Sequence, residues 1–414
     1  HLTSSLEVSS SLANTGWLVR GLTISIVVGF QVTVAVTRYL GPTQYGALAL
    51  AVAFAALFAP LSRLGLDKIV IQDLVSDARH RPAILGTTFA LKLAAGVWLL
   101  PVIVLAAMVV YPGDALMMGL TLLASAGLIL SAFDAIDFWF QAQVRSKYTV
   151  YARLGAFSLV SAARLIGVGL GAPLLVFAVI GLLETVAYAV GQVITIYRAG
   201  QPIHRWRVDG AIARRLLRES WPLILSGLAV VLYMRIDQTM LGAMLPGDAG
   251  KRAAGIYAVA VQLSEMWYFI PTAIVNSAFP AVVQARQSSP TLYEARLQRL
   301  FNLLALLSYA IAIPMTFLSG VVIRIYGADY QEAGPMLAIL MWAGVWVSLG
   351  LVREAAIQAD SKLIYSMLST LVGAAVNVAA NLVLIPALAG LGAAIATTVS
   401  YGASAYLSSL MFPP

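Results

Sequence analysis

The sequence predicts an all-α polytopic membrane protein of about twelve transmembrane helices, set out as two six-helix lobes related by a pseudo-twofold axis along the membrane normal. Three observations carry this expectation. Of 414 residues, 60% are apolar and 11% charged, where a soluble domain carries roughly 25% charged residues. The apolar residues come in blocks of about 20, long enough to cross a ~30 Å hydrocarbon core. Short motifs of the first half also return in the second half at a nearly constant offset.

In chain order the blocks place spans near 16–38, 44–62, 83–111, 114–140, 148–169, 173–197, 221–245, 253–283, 299–323, 333–352, 363–386 and 390–411. Inside a bilayer every backbone group must be paired within the protein, so only helices or closed barrels span it, and these runs are too long and too little alternating for barrel strands. What remains between spans is too short for a soluble domain. Prolines 101, 271 and 314 fall inside spans and are expected to kink them, since each removes a backbone donor.

Orientation follows from lysine and arginine. One alternate set of loops, including 63–81, 145–153, 198–218, 286–299 and 353–362, holds eighteen cations, and the other set holds four. The positive-inside rule therefore places the first set, with both termini, in the cytoplasm. The net charge of +8 is topological information, and a nucleic-acid partner is not expected. With no cysteine, disulfides and thiolate chemistry are excluded, and with three separated histidines a His-based metal site is not expected. The opening stretch HLTSSLEVSSSLANT has no basic region, so it does not read as a signal peptide.

The repeat is visible in Pro101 and Pro314, Pro173 and Pro386, and Thr185-Val186-x-Tyr188 with Thr398-Val399-x-Tyr401, all 213 residues apart. Gln143-x-x-Ser146-Lys147 returns as Gln358-x-x-Ser361-Lys362 at an offset of 215. Six spans per half is an even number, so both halves insert with the same topology, which requires an axis along the membrane normal. The expected organisation is a first lobe at 1–198, a basic cytoplasmic linker at 199–219 and a second lobe at 220–414. Arg214, Arg215 and Arg218 with Leu216 and Leu217 read as a short amphipathic helix on the membrane surface.

Ionised side chains at a helix centre cost roughly 2.5–3.5 kcal/mol on insertion scales, so they face a water-filled cavity or a partner. Arg20, Gln31 and Arg38 share a face of the first span, Asp134 and Asp137 one of the fourth. Ser161 and Arg164, then Glu184 and Tyr188, follow on the fifth and sixth. Arg235 and Asp237, two apart, point to different sides of the seventh. Gln262, Glu265, Thr272 and Asn276 form a polar stripe on the eighth, and Asn377 and Asn381 stand one turn apart on the eleventh. This is the pattern of an aqueous cavity lined from both halves. Lys92, Asp134, Asp137 and Arg353 read first as structural ion pairs. Phe138-Trp139-Phe140 reads as an interfacial belt.

The segments RYLGPTQYGALALAVAFAALFAPLSRLGLDKIVIQDL (38–74), FDAIDFWFQAQVRSKYTVYAR (133–153), RIDQTMLGAMLP (235–246) and GIYAVAVQLSEMWYFIPTAIVNSAFP (255–280) resemble polysaccharide and O-antigen flippases of the Wzx type. These belong to the multidrug/oligosaccharidyl-lipid/polysaccharide exporter superfamily. The resemblance runs over nearly the whole chain and implies two six-helix lobes around a central cavity in a bacterial inner membrane. It implies a cargo of undecaprenyl-pyrophosphate-linked oligosaccharide, carried from the cytoplasmic to the periplasmic leaflet by alternating access. A glycan polymerase and a chain-length regulator join the membrane lipids as partner candidates.

On that reading Arg20, Arg38, Arg164 and Arg235 are candidates for the pyrophosphate, because guanidinium suits bidentate phosphate contacts, and Gln31, Gln262, Asn276 and Asn377 are candidates for the glycan. Asp237, Glu265, Asp137 and Glu184 are candidates for cation coupling or for pairing between the lobes. No cofactor is expected; a proton or sodium gradient as driving force is an expectation of the resemblance. The alternatives are another cargo in the same superfamily, lipid II or drug-like cations, and a membrane glycan polymerase or ligase. Buried arginines count against a drug-cation cavity. The absence of a long outward loop, a P-loop or a nucleophile–base constellation counts against an enzyme or an ATP-driven pump.

Overall fold

A computed structural model describes the backbone of residues 2–201, 203–360 and 362–411, with side chains from 27 to 406 apart from 202, 361 and 363. Every regular element among the described residues is helical. In chain order these are α1 (Leu2–Leu57), α2 (Ala59–Arg63), α3 (Asp67–Ser76), α4 (Arg81–Val110), α5 (Ala115–Ile129), α6 (Asp134–Ala142) and α7 (Lys147–Gly169). There follow α8 (Leu174–Arg198), α9 (Gly210–Met244), α10 (Gly247–Glu265), α11 (Phe269–Ser288), α12 (Pro290–Ile323), α13 (Ala333–Ala359) and α14 (Leu363–Met411).

Ten stretches of this architecture are long and apolar enough to cross a membrane. The count differs from the twelve expected spans because two pairs of spans are joined without a loop. Gly41 takes φ 68°, ψ 171° inside α1, a conformation open to glycine for want of a Cβ, and Pro42 starts the second piece. Ala389 at φ 47°, ψ −127° breaks α14 in the same way. At ~1.5 Å per residue, the pieces 2–40, 363–388 and 390–411 are about 58, 39 and 33 Å long, and 42–57 is about 24 Å, just under the usual length of a crossing.

Helices α4 and α12 run on through Pro101 and Pro314. The expected span 253–283 is interrupted by a turn at 266–268 between α10 and α11, and Pro271 sits in the first turn of α11, where its missing N–H costs no helical hydrogen bond.

The linker also departs from expectation. Residues 210–218 do not form a separate surface helix; they are the first turns of the 35-residue α9. Asp209 starts that helix by accepting hydrogen bonds from the N–H groups of Ala211 (2.8 Å) and Ile212 (3.1 Å), a side-chain N-cap. The linker is strapped to the first half of the chain: Arg207 N–H donates to Pro82 O at 3.1 Å, and Asp209 N–H donates to Thr87 Oγ1 at 2.9 Å. Arg215 then pairs with Asp73 of α3 at 2.5 Å.

At the opposite end of the bundle, helices of the two halves meet backbone to backbone. A Cβ added at Gly46 of α1 would lie 1.8 Å from Lys251 O, and one added at Gly255 of α10 would lie 2.0 Å from Pro42 O. No side chain larger than hydrogen fits there. Lys251 crosses to Asp114 at 2.6 Å, and Tyr330 OH donates to Thr37 O at 3.0 Å. Around this seam lies the largest buried cluster, including Leu50, Phe54, Tyr257, Val259, Tyr326 and Leu337. The end that carries residues 41, 114, 251 and 330 is therefore shut between α1 and α10.

Candidate functional site: a cavity with two Arg–Glu pairs between the two halves

Below that seam the helices part around a cavity of about 870 Å³. Its walls come from α1, α5, α7 and α8 of the first half and from α9 and α10 of the second. Most of the wall is alanine, glycine, leucine and valine, and the polar groups on it are few and specific: Thr33, Tyr45, Arg164, Glu184, Thr185, Arg235, Gln238, Gln262 and Glu265.

Two ion pairs stand on the wall, one in each half. Arg164 Nη2 donates to Glu184 Oε2 at 2.9 Å across α7 and α8. Arg235 Nη2 donates to Glu265 Oε2 at 3.0 Å across α9 and α10. All four side chains are between 23% and 37% exposed, so they face the opening instead of being sealed in the protein. Glu265 is the last residue of α10, where the negative end of the helix dipole disfavours a carboxylate, and Arg235 offsets this. The four charges sum to zero. Each guanidinium keeps further N–H donors beyond the nitrogen bonded to its glutamate. Tyr45 OH, from α1, donates to Gln262 Oε1 of α10 at 3.4 Å and so links the two halves across the cavity.

Arg164, Arg235, Gln262, Glu184 and Glu265, all singled out in the sequence, come together here. The pairing of Glu184 and Glu265 is within each half, not between lobes, because each glutamate lies on the helix adjacent to its arginine. Asp237 is elsewhere. It is 3% exposed inside the second half, where its carboxylate accepts from Tyr257 OH, from Thr397 Oγ1 at 2.9 Å and from Gln238 N–H at 2.7 Å. Asn377 is likewise fully buried, donating to Ser400 Oγ at 3.2 Å and accepting from Asn381 Nδ2 at 2.8 Å. It lies off the cavity wall.

Three further candidates do not reach the cavity. Gln31 and Arg38 are exposed on a different face of α1 from Thr33 and Val36, which line it, and Asn276 is exposed on α11. Asp137 accepts from Gln141 Nε2 at 2.9 Å within α6 and bridges no lobes. Its neighbour Asp134 pairs at 2.9 Å with Lys92, a fully buried lysine whose ammonium also sits 4.9 Å from the Phe138 ring centroid. The Phe138-Trp139-Phe140 run is packed in that interior cluster, not displayed as a belt. The side chain of Arg20 lies outside the described residues.

Sequence reading missed the link between halves at the closed end. Lys251 is one of only four cations in the other set of loops, and Asp114 is the N-cap of α5, accepting from Met117 N–H at 3.0 Å. The scarcity of Lys251 was the available signal. Asp114 lies outside the membrane-crossing stretches. Partial burial works against its ionisation, but the hydrogen bond from the Lys251 ammonium and that from Met117 N–H outweigh it and hold the carboxyl below its ordinary range. Among the described residues no group of three or more His, Cys, Asp or Glu is placed to hold a metal ion.

No curated protein sequence matches the chain. Among solved structures the lipid II flippase MurJ in an inward closed conformation is similar with a TM-score of 0.75 at 11% identity, covering 96% of this chain and 87% of that one. A multidrug resistance MATE family transporter of the MOP superfamily, inward-facing, gives 0.68 at 15% identity over 95% and 97% of the two chains. A MOP superfamily transporter from Pyrococcus furiosus, described as having a binding pocket of reverse polarity, gives 0.62 at 16% identity over 95% of each. The fold is that of MOP-superfamily transporters and flippases. The sequence profile named polysaccharide biosynthesis protein matches residues 11–286, two thirds of the chain, and the protein belongs to that family.

Proposed function

We propose that the protein carries an undecaprenyl-pyrophosphate-linked oligosaccharide from the cytoplasmic to the periplasmic leaflet of a bacterial inner membrane. The observation that carries the reading is the cavity: an internal space whose mostly apolar wall carries two Arg–Glu pairs, in a member of a polysaccharide biosynthesis family. Sugar hydroxyls and a diphosphate cannot cross hydrocarbon without polar partners. A neutral pair of Arg–Glu bridges meets that need without attracting simple cations. The anionic diphosphate competes with Glu184 and Glu265 for the two guanidinium groups, which offer the bidentate geometry that phosphate takes. Gln262, Gln238 and Tyr45 serve the glycan, and the lipid tail stays in the bilayer.

On this reading the arginine-rich end is cytoplasmic, both termini lie on that side, and residues 1–198 and 220–414 are two lobes that rock about the cavity. The seam at Gly46 and Gly255 is then the periplasmic closure of an inward-directed state. Asp237, buried beside Arg235 in the chain but on the far side of α9, is the candidate for coupling to a proton or sodium gradient.

The test is to delete the gene and profile lipid-linked glycans by mass spectrometry, with a membrane-impermeant probe for sidedness. A complete undecaprenyl-pyrophosphate-linked unit trapped on the cytoplasmic leaflet supports the proposal and names the cargo. Unpolymerised units reaching the periplasmic leaflet overturn it in favour of a polymerase or ligase. An unchanged glycan profile moves the cargo to another lipid or solute.

A further inference from the structure

At the arginine-rich end most cations are interleaved with carboxylates: with Asp67, Asp73 and Asp77 at 63–81, with Asp209 and Glu219 at 198–219, with Glu294 at 286–299, and with Glu354 and Asp360 at 353–362. The loop before α7 differs. Neither 138–183 nor 185–208 contains an Asp or Glu. Arg145 and Lys147 at the start of α7 and Arg198 at the end of α8 are exposed. Among the described residues none of the three is in an ion pair.

The two helices lie against each other so that these ends are level: a Cβ added at Gly191 of α8 would lie 2.9 Å from Ala152 Cβ of α7. Arg164 and Glu184 turn one face of each helix to the cavity. Tyr188, one turn from Glu184 on that face, takes a hydrogen bond from Arg153 at 3.1 Å. The opposite faces are exposed. On α8 that face is an aliphatic stripe of Val179, Leu183, Val186, Val190 and Ile194, ending on Tyr197. On α7 it begins with exposed Tyr148 and Tyr151, and the Lys147 ammonium sits 5.3 Å from the Tyr148 ring centroid. From Tyr197 to Val186 is about 16 Å at ~1.5 Å per residue, the hydrocarbon depth of one leaflet. The three tyrosines therefore stand at headgroup depth, where such rings are enriched, with the cations beyond them and the aliphatic stripe below.

This layering discriminates among partners. A soluble polyanion or an acidic protein meets the cations but leaves the stripe unused. A zwitterionic phospholipid covers the stripe but brings its own ammonium to the cations. An anionic glycerophospholipid uses both: its phosphate takes charge-assisted hydrogen bonds from guanidinium and ammonium, tyrosine hydroxyls donate to its oxygens, and its chains lie along the stripe.

We propose that the outward side of α7 and α8 holds one anionic glycerophospholipid, its phosphate at Arg145, Lys147 and Arg198. The bound lipid bridges the ends of the two helices that carry Arg164 and Glu184. Only its assignment to the cytoplasmic leaflet rests on the function proposed above.

The chain has no cysteine, so a single reporter can be placed. Val190→Cys, exposed on the stripe, carries a bimane fluorophore in the full-length protein in phosphatidylcholine nanodiscs. Phosphatidylglycerol or phosphatidylcholine with doxyl-labelled chains is then titrated in. Leu306→Cys is the control; it is exposed on α12, seven residues from Arg299 as Val190 is eight from Arg198. Labelled phosphatidylglycerol is expected to quench the Val190 reporter at about tenfold lower mole fraction than labelled phosphatidylcholine, with little preference at Leu306. Arg145→Gln, Lys147→Gln and Arg198→Gln are each expected to weaken the preference by up to about fivefold, the worth of one cation at an anionic membrane surface. Lys147→Arg should keep it and the triple substitution abolish it. If the triple variant fails to fold, the single variants carry the test. Equal quenching by the two lipids at Val190 overturns the site, as does an equal preference at Leu306 or one that survives the substitutions. Displacement of the quencher by equimolar undecaprenyl diphosphate overturns the phospholipid as occupant in favour of the cargo lipid. Loss of the site leaves the flippase reading standing, and failure of that reading in a transport assay leaves the site standing.

Discussion

Replacing Gly46 with alanine perturbs the closed seam at one atom. The added Cβ lies 1.8 Å from Lys251 O and 2.8 Å from Gly255 N, and both obstacles are backbone, so no side chain can swing aside. Helices α1 and α10 must part by more than an ångström. Overpacking of this kind costs about 1–3 kcal/mol, and at ~1.4 kcal/mol per tenfold that shifts the balance against the closed state roughly five- to 150-fold. The gain in helix propensity from glycine to alanine applies to both states and cancels.

The native chain has no cysteine, which makes spin labelling clean. Labels at Pro112→Cys and Ala249→Cys, both exposed at the closed end, report the gap between the halves. Gly46→Ala is expected to move the distance distribution toward longer separations. Gly320→Ala, where the added methyl meets open space, is expected to leave it unchanged. A folded Gly46→Ala protein with the wild-type distribution refutes the claim that this contact sets the closure, and so does an equal shift in the control.

Three other outcomes follow from the same geometry. Arg235→Ala leaves Glu265 without its partner at the C-terminus of α10; export is expected to stop and the melting temperature to fall by the equivalent of about 1–2 kcal/mol, less than for a sealed pair because both groups are partly exposed. Adding Glu265→Gln should restore the melting temperature but not export, and full export by Arg235→Ala contradicts the assignment. Asp237→Asn weakens the acceptor for Tyr257 and Thr397; flux is expected to lose its response to proton or sodium gradients, and an unchanged response removes Asp237 from coupling. The Asp114 carboxyl is held below its ordinary range, so its contribution to closure is present above the unfolded value of about 3.9. It is lost only as pH falls through the lower folded value. The spin-label distance should therefore be flat from about pH 5 to pH 8, and a transition inside that window contradicts the pairing with Lys251.

Much of the fold was legible because apolar block length is set by the membrane, and each of the ten long apolar helical stretches falls on one or two of the twelve blocks. What was not legible depended on contacts. Block length separates 16–38 from 44–62 but does not show that Gly41 joins them without a loop. Amphipathic Arg214–Arg218 looks like a surface helix until the strapping of Arg207 and Asp209 onto α4 shows that it continues into α9. Within the site, spacing correctly put Arg235 and Asp237 on different sides of one helix. Periodicity groups side chains by face but does not say whether that face meets a cavity, lipid or another helix. For that reason Asn377 was read as cavity-lining when it is buried against Ser400 and Asn381, and the face shared by Gln31 and Arg38 was read as cavity-lining when the face of Thr33 and Val36 lines it.

The most direct test of the account reconstitutes the purified protein in proteoliposomes with an undecaprenyl-diphosphate-linked oligosaccharide and follows, with an impermeant glycan-modifying enzyme, how fast the glycan changes leaflet. Protein-dependent movement that is lost in Arg235→Ala and Arg164→Ala is the result the account predicts. Movement no faster than in protein-free liposomes, under both a proton and a sodium gradient, would contradict it.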